Sequence, residues 1–355
     1  MRDGGSVRIF VWLFVMAGTS YLIGQQRAKT GPEVGARVPS FEAPDQNGRL
    51  QSLKTIAGPK GAMLVFFRSA DWLPYCKSQL VELERDVATL RKQGIGVAAI
   101  SYDSVAILKN FTDRRGISYP LLADPDSRII RAFGILNETV DKNAFAYGIP
   151  HPGTYIVDRN GVVKSKYFED DYRERDTASE ILVREFGIQP GLPQAAIETK
   201  HLKLSTAASA ASVRQGHHIA LTIDLDLNPK MHVYAPGVQG YIPIDWGMAE
   251  SKAVRVAAVA YPASKKLHLK PINETVPVYQ GKFRLVRELT IGPEADVKPL
   301  LTPGGELVLS GILRYQACDD KECYLPQTVP LKWTLPFESL DRERAPVELQ
   351  RKEGR

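Results

Sequence analysis

Three cysteines, Cys76, Cys318 and Cys323, carry the redox chemistry open to this 355-residue chain. Cys318 and Cys323 are separated by four intervening residues in Arg314-Tyr315-Gln316-Ala317-Cys318-Asp319-Asp320-Lys321-Glu322-Cys323-Tyr324-Leu325-Pro326. Residues 307–315 and 328–334 alternate apolar and polar side chains and read as strands entering and leaving this segment. Cysteines at the end of such a hairpin are close enough to bridge. The loop is short, and in the chain-entropy picture short loops gain less from closure than long ones. On the residues alone, a structural bridge and an exchanging disulfide stand equally open. The acidic neighbours Asp319, Asp320 and Glu322 disfavour thiolate, while Lys321 opposes them.

Cys76 lies in a different setting, Ser69-Ala70-Asp71-Trp72-Leu73-Pro74-Tyr75-Cys76-Lys77. The apolar run at 62–67 reads as a strand buried on both faces. Leu80, Leu83, Val87 and Leu90 then recur at helical spacing, and Gly94 closes the helix. A thiol at that junction faces the positive end of the helix dipole, with the charge of Lys77 beside it. The competing reading is a small, inert, buried cysteine.

The elements that must position these residues fall into two unlike halves. Residues 38–187 alternate strands (62–67, 96–101) with helices (105–115, 177–186). They also hold a hairpin turned at Arg159-Asn160-Gly161, so this half reads as an α/β sandwich. Residues 188–196 carry two prolines and a glycine and read as a linker. Residues 197–336 show alternating stretches at 218–227, 254–261, 283–291 and 307–315 without convincing helices, the pattern of an all-β sandwich. Residues 337–355 read as a charged, frayed tail.

Composition narrows the function. Lys and Arg total 46 against 40 Asp and Glu, a mild excess with no basic run, which argues against nucleic-acid binding. Three cysteines exclude a four-cysteine zinc site and a fully cysteine-ligated iron–sulfur cluster within one chain. His217 and His218 begin a strand, where adjacent side chains diverge, and His151, His201, His232 and His268 lack ligand spacing, so neither metal nor cofactor is expected. The mostly apolar run at 9–24 follows Arg2 and Arg8 and is stopped by Gln25, Gln26, Arg27 and Lys29. Segment 1–29 therefore reads as a signal-anchor or signal peptide, placing the rest in the periplasm, anchored at the inner membrane or exported free. Exported cysteines meet an oxidising environment.

The stretches FFRSADWLPYCKSQLVEL and YGIPHPGTYIVDRNG resemble the thioredoxin-like redoxins, including the alkyl hydroperoxide reductase/thiol-specific antioxidant group. The resemblance implies a thioredoxin-like fold with Cys76 at the head of its first long helix. It also exposes departures. Leu73 stands where a dithiol member has its attacking cysteine, and Ser69 and Leu73 replace the proline and threonine of the peroxidase motif. Pro152 falls at the position of the family arginine, and equally at the cis-proline position of thioredoxins. Trp72 falls where relatives place an aromatic bordering the partner surface, with packing as its plainer role.

YQACDDKECYLPQTVPLKW, HVYAPG and VYQGK resemble the N-terminal periplasmic domain of the thiol:disulfide interchange protein DsbD. That resemblance implies an immunoglobulin-like sandwich and a Cys318/Cys323 pair that passes electrons to periplasmic thiol proteins. It puts Tyr279, Gln280 and Gly281 in a loop capping the pair and Tyr234 in its pocket. The electron-conducting membrane domain of that family is missing, so a separate membrane or soluble protein must supply electrons. The expected function is thiol–disulfide exchange through Cys318/Cys323, with Cys76 as a single thiol on an antioxidant-type domain. Two alternatives remain: a one-cysteine peroxidase at Cys76 reduced by the sandwich pair, and a non-catalytic binding module with a structural disulfide.

Overall fold

A computed structural model describes residues 29–188, 191, 193–269 and 273–352, so the apolar run at 9–24 lies outside the described residues. Among the described residues no helix is long and apolar enough to cross a membrane.

The first half contains β1 (Glu42–Pro44), β2 (Leu50–Ser52), α1 (Leu53–Ile56), β3 (Gly61–Phe66), α2 (Pro74–Lys92), β4 (Ile95–Ser101) and α3 (Val105–Arg115). It continues with β5 (Leu121–Ala123), α4 (Arg128–Ala132), β6 (Gly153–Val157), β7 (Val163–Phe168), β8 (Arg175–Asp176) and α5 (Ala178–Phe186). Five strands form one sheet in the order β5-β4-β3-β6-β7. The pairs β3–β4 and β4–β5 are parallel, while β6 and β7 run antiparallel. Every residue of β3 is buried, as its unbroken apolar sequence requires. The helical repeat Leu80, Leu83, Val87 and Leu90 is buried between sheet and α5.

The second half contains β9 (Pro193–Glu198), β10 (Leu202–Ala208), β11 (His217–Leu227), β12 (His232–Tyr234), β13 (Asp245–Met248), β14 (Val254–Ala260), β15 (Lys265–Leu269) and β16 (Glu274–Gln280). After these come β17 (Lys282–Ile291), the single-turn α6 (Glu294–Val297), β18 (Glu306–Tyr315), β19 (Ala317–Cys318) and β20 (Gln327–Pro336). The sheet β14-β17-β11-β10-β9 packs on β13-β18-β20 around one core in which Trp246 stacks on Trp333. A third sheet, β15-β16-β12-β19, covers one end. The linker expected at 188–196 is shorter than the sequence implies: residues from Pro193 onward already pair with β10 as β9.

The halves are joined rather than tethered. The two-residue strand β8 pairs in parallel with the start of β11, Arg175 with His217 and Asp176 with His218. It occupies the lane that β10 leaves free, since β10 pairs with β11 only as far as Leu221. Gly216 sets the close approach: its φ is +80°, and a Cβ there would lie 1.9 Å from the Arg173 carbonyl oxygen. Around this seam Arg85 donates to Ser212 (2.8 Å), Gln215 to the Tyr75 hydroxyl (3.0 Å) and Arg284 to the Gly187 carbonyl (2.9 Å).

The tail corrects the sequence reading. It is not frayed but returns to the first half. Arg344 forks onto the buried Asp71 carboxylate (2.8 and 2.6 Å), and the Ala345 amide donates to the same group (2.8 Å). Asp341 pairs with the buried Lys77 at 3.6 Å and with Arg115 at 2.9 Å, and Arg351 lies over the Tyr102 ring at 4.5 Å. Charged sequence reads as solvated only while its partners, far away in the chain, are unknown.

The seam buries titratable groups, which fixes a pH response. Burial pushes Glu82 up to about 8, with Asp86 adding to it, and desolvation raises Glu180 to about 8 as well. Burial lowers His217 to about 3. A carboxyl raised on folding contributes stability below its unfolded value and loses it as pH climbs to its folded value. The His217 contribution is constant above its unfolded value of 6.5. Between pH 6.5 and 8 the slope is set by these carboxyls and by His218, whose carboxylate neighbours outweigh burial and raise it to about 9; all act in one direction, so the melting temperature should fall. Thermal unfolding followed across that range should show this, and Glu82→Gln should make the fall shallower. A melting temperature that rises from pH 6.5 to 8 contradicts the assignment.

Candidate functional site

The Cys76 site is built on the loop from β3 to α2. Its floor is Asp103, which accepts from Ser69 Oγ (2.9 Å), the Ala70 amide (2.7 Å) and Ser101 Oγ (3.0 Å). Burial raises the Asp103 carboxyl to about 6, and those three donors oppose the shift. On the other side Asp71 is clasped by the tail. Leu73 is the helix N-cap and offers no side-chain hydrogen bond, and Pro74 follows at the first helical position, where its missing N–H costs nothing. Leu73 is buried in the same core cluster as Cys76.

Cys76 itself is wholly buried. Its Sγ accepts from the Arg68 amide at 3.3 Å, and Arg175 Nη2 stands 3.9 Å away. Burial lowers the Arg68 guanidinium below its usual value; the Arg175 charge works the same way and Cys76 opposes it. Arg68 lies over the Tyr172 ring at 4.5 Å, so Tyr172 lids this corner. Two arginines therefore flank the sulfur, although the family arginine position holds Pro152. Sequence reasoning missed both. Arg68 is adjacent to the motif and could have been noticed, whereas Arg175 reaches Cys76 across 99 positions from a two-residue strand with no local signal.

Two expectations for this site change, those for Lys77 and Pro152, while Trp72 takes its plainer, packing role. Lys77 does not charge the thiol, because its side chain is buried against the tail. Pro152 is buried and its peptide is trans, since no described peptide bond is cis. It precedes Gly153, which pairs with Phe66 at the mouth of the Cys76 loop. Trp72 packs inward: its Nε1 donates to the Tyr102 hydroxyl at 2.9 Å and its ring meets Phe145 edge-on.

Cys318 and Cys323 form a disulfide across the hairpin end. Cys318 is buried and paired with His232 of β12, while Cys323 is exposed. The intervening loop is organised by Asp319, whose carboxylate accepts from the Lys321 and Glu322 amides and the Tyr324 hydroxyl. Those hydrogen bonds, led by the Glu322 amide, hold it down at about 2. The disulfide lines a groove of about 690 Å³ with His232, Tyr234, Tyr241, Leu267 and Leu269. The Tyr234 hydroxyl lies 3.6 Å from Cys323 Sγ and its ring stacks on Tyr241.

Tyr234 is where the resemblance puts it, but Tyr279 and Gly281 do not cap the pair. Tyr279 pairs with Val233, and both face the main core, where the Tyr279 hydroxyl donates to the Pro262 carbonyl. Gly281 turns from β16 into β17 at φ +65° and accepts from the Leu227 amide. Alternation along β16 gives the reason: Val276 and Val278 share the face that packs with Tyr234 and Cys318, and Tyr279 must point the other way. Tyr241 and β15 wall the groove instead.

The two thiol centres lie at opposite ends of β11. Arg175, beside Cys76, pairs with its first residue, whereas the disulfide hairpin adjoins β12, just past its last. Eleven residues of strand separate them by about 33 Å.

Fold and site together define a two-domain thiol redox protein. Residues 34–166 match the AhpC/TSA family, and residues 199–332 match the N-terminal domain of the thiol:disulfide interchange protein DsbD. The first domain is similar to alkyl hydroperoxide reductase E of Mycobacterium tuberculosis, 30% identical over 145 residues that span 40% of this chain and 90% of that protein. It is also similar to a putative peroxiredoxin of Coxiella burnetii, 30% identical over 38% of this chain and 86% of that one. The crystal structure of Enterococcus faecalis AhpC aligns with 44% of this chain and 96% of its own, at 26% identity and a TM-score of 0.36. The chain belongs to the AhpC/TSA family through its first domain and carries a DsbD N-terminal-type domain after it.

The Arg175 guanidinium, 3.9 Å from Cys76 Sγ, is a charged donor that a reacting sulfur would meet. Arg175→Met is expected to slow reaction of Cys76 with iodoacetamide at pH 7 by roughly tenfold, with Arg175→Lys recovering part of the loss. Peptide mass analysis reads the rate, and an unchanged Met variant would show the guanidinium to be a packing group only.

Proposed function

We propose that Cys318/Cys323 is the exchanging pair of an exported thiol–disulfide redox protein, acting on separate proteins rather than on Cys76 of its own chain. The carrying observation is the asymmetry of the pair: Cys323 is exposed at the mouth of an aromatic-walled groove, and Cys318 is buried behind it. An incoming thiolate from the donor attacks Cys323 Sγ, the Cys318–Cys323 bond breaks, and the two electrons of that bond leave on Cys318 as thiolate. A second donor thiol then attacks the mixed disulfide, so donor dithiol becomes disulfide and the pair becomes dithiol. Delivery to a client's disulfide runs the same steps in reverse, with Cys323 attacking. The separation of about 33 Å along β11 favours a separate donor and client over an internal circuit. The apolar segment at 9–24 supports export, and with it a periplasmic setting at the membrane or free of it.

A second reading has its own observation. The Arg68 amide and Arg175 guanidinium beside Cys76 are the donors a peroxide-reducing thiolate would need. In that reading peroxide oxidises Cys76 to sulfenic acid. The full burial of Cys76 and the missing family arginine at Pro152 place it second.

The test is trapping. In a Cys318→Ser chain, a mixed disulfide formed at Cys323 cannot be resolved from within, so partner thiol proteins should accumulate as adducts on non-reducing gels. A Cys323→Ser chain should trap far less, because its remaining sulfur is buried. Equal trapping by the two variants would contradict the assigned order of attack.

A further inference from the structure

At the seam, on the face of β8 opposite Cys76, lie Glu169, Asp176 and His218. His218 Nδ1 stands 3.4 Å from Asp176 Oδ1 and 3.7 Å from Glu169 Oε1, and one ligand atom from each of the three lies within 4.8 Å of the others. Around a tetrahedral Zn²⁺ with Zn–N and Zn–O distances of about 2.0–2.2 Å, neighbouring donor atoms are about 3.3–3.6 Å apart. The two histidine–carboxylate spacings thus lie close to the edges of such a polyhedron, and they are long for direct hydrogen bonds.

The other ring nitrogen is already committed. His218 Nε2 lies 3.2 Å from Glu174 Oε2, and Glu174 is gripped by both Arg255 Nη atoms at 2.8 and 2.7 Å. A carboxylate on the far nitrogen is the outer-shell partner that orients a metal-bound histidine and leaves its other lone pair free. The site opens into a cleft of about 470 Å³ between the domains, which leaves room for water in a fourth position. Arg184 also borders it, with Nη1 3.9 Å from Asp176 Oδ1 and Nε 3.2 Å from Glu288. We propose that Glu169, Asp176 and His218 form a binding site for one divalent transition-metal ion, bridging the redoxin domain and the sandwich. The local sequence hides it, because His218 comes from one domain and both carboxylates come from the other.

The test is calorimetry of Zn²⁺ with the full chain, with Cys318/Cys323 oxidised. One equivalent should bind. His218→Ala should abolish binding, and Glu169→Gln, at the rim of the seam and outside the strand pairing, should weaken it by about 10–100-fold while the chain stays folded by circular dichroism. Cys76→Ser should leave it unchanged. No binding by the wild-type chain, binding that survives His218→Ala, or binding lost with Cys76→Ser would each overturn the proposal. In the first case His218 serves only as a protonated ion-pair partner.

Discussion

Two residues of parallel pairing, Arg175 with His217 and Asp176 with His218, govern the arrangement of everything else in this chain. Side chains alternate across a strand. Arg175 and His217 therefore enter the redoxin domain, toward Cys76 and Glu82, while Asp176 and His218 meet on the opposite face. A pairing this short contributes little on its own. It persists because Gly216 allows the backbone approach and because Thr177, the N-cap of α5, donates to the His218 carbonyl and accepts from the Glu180 amide.

Joining the domains at one end of β11 fixes the disulfide at the other. The groove around Cys323 is lined by residues of the sandwich alone. The tail closes the same end: after β20 the chain runs back over the redoxin domain and clasps Asp71, in the loop that leads to Cys76. Asp103 below and Arg344 above hold that loop from both sides, which is consistent with a sulfur that is enclosed rather than presented.

What the sequence made legible is what local patterning encodes. The apolar run of β3, the helical spacing of α2, the Asn-Gly hairpin and the alternation of β11 and β18 all became the expected elements. The disulfide was readable as a possibility from spacing and hairpin context, and Tyr234 from resemblance. Tyr279 was misplaced although alternation with Val276 and Val278 held the answer. Arg175 left no local trace because it meets Cys76 from 99 positions away on a two-residue strand, and the His218 cluster and the docked tail left none because each depends on partners from the other domain. The buried carboxyls Glu82 and Asp86 sit on a helix face that reads as solvent-exposed until the sandwich is packed against it.

The central claim is that the exposed–buried pair Cys318/Cys323 exchanges electrons rather than staples a loop. A redox titration of the full chain, with thiols trapped by alkylation and read by peptide mass, tests it most directly. The account predicts a Cys318/Cys323 midpoint within about −180 to −230 mV, in the range of exchange proteins. A midpoint below about −300 mV would mark a structural bridge and contradict it.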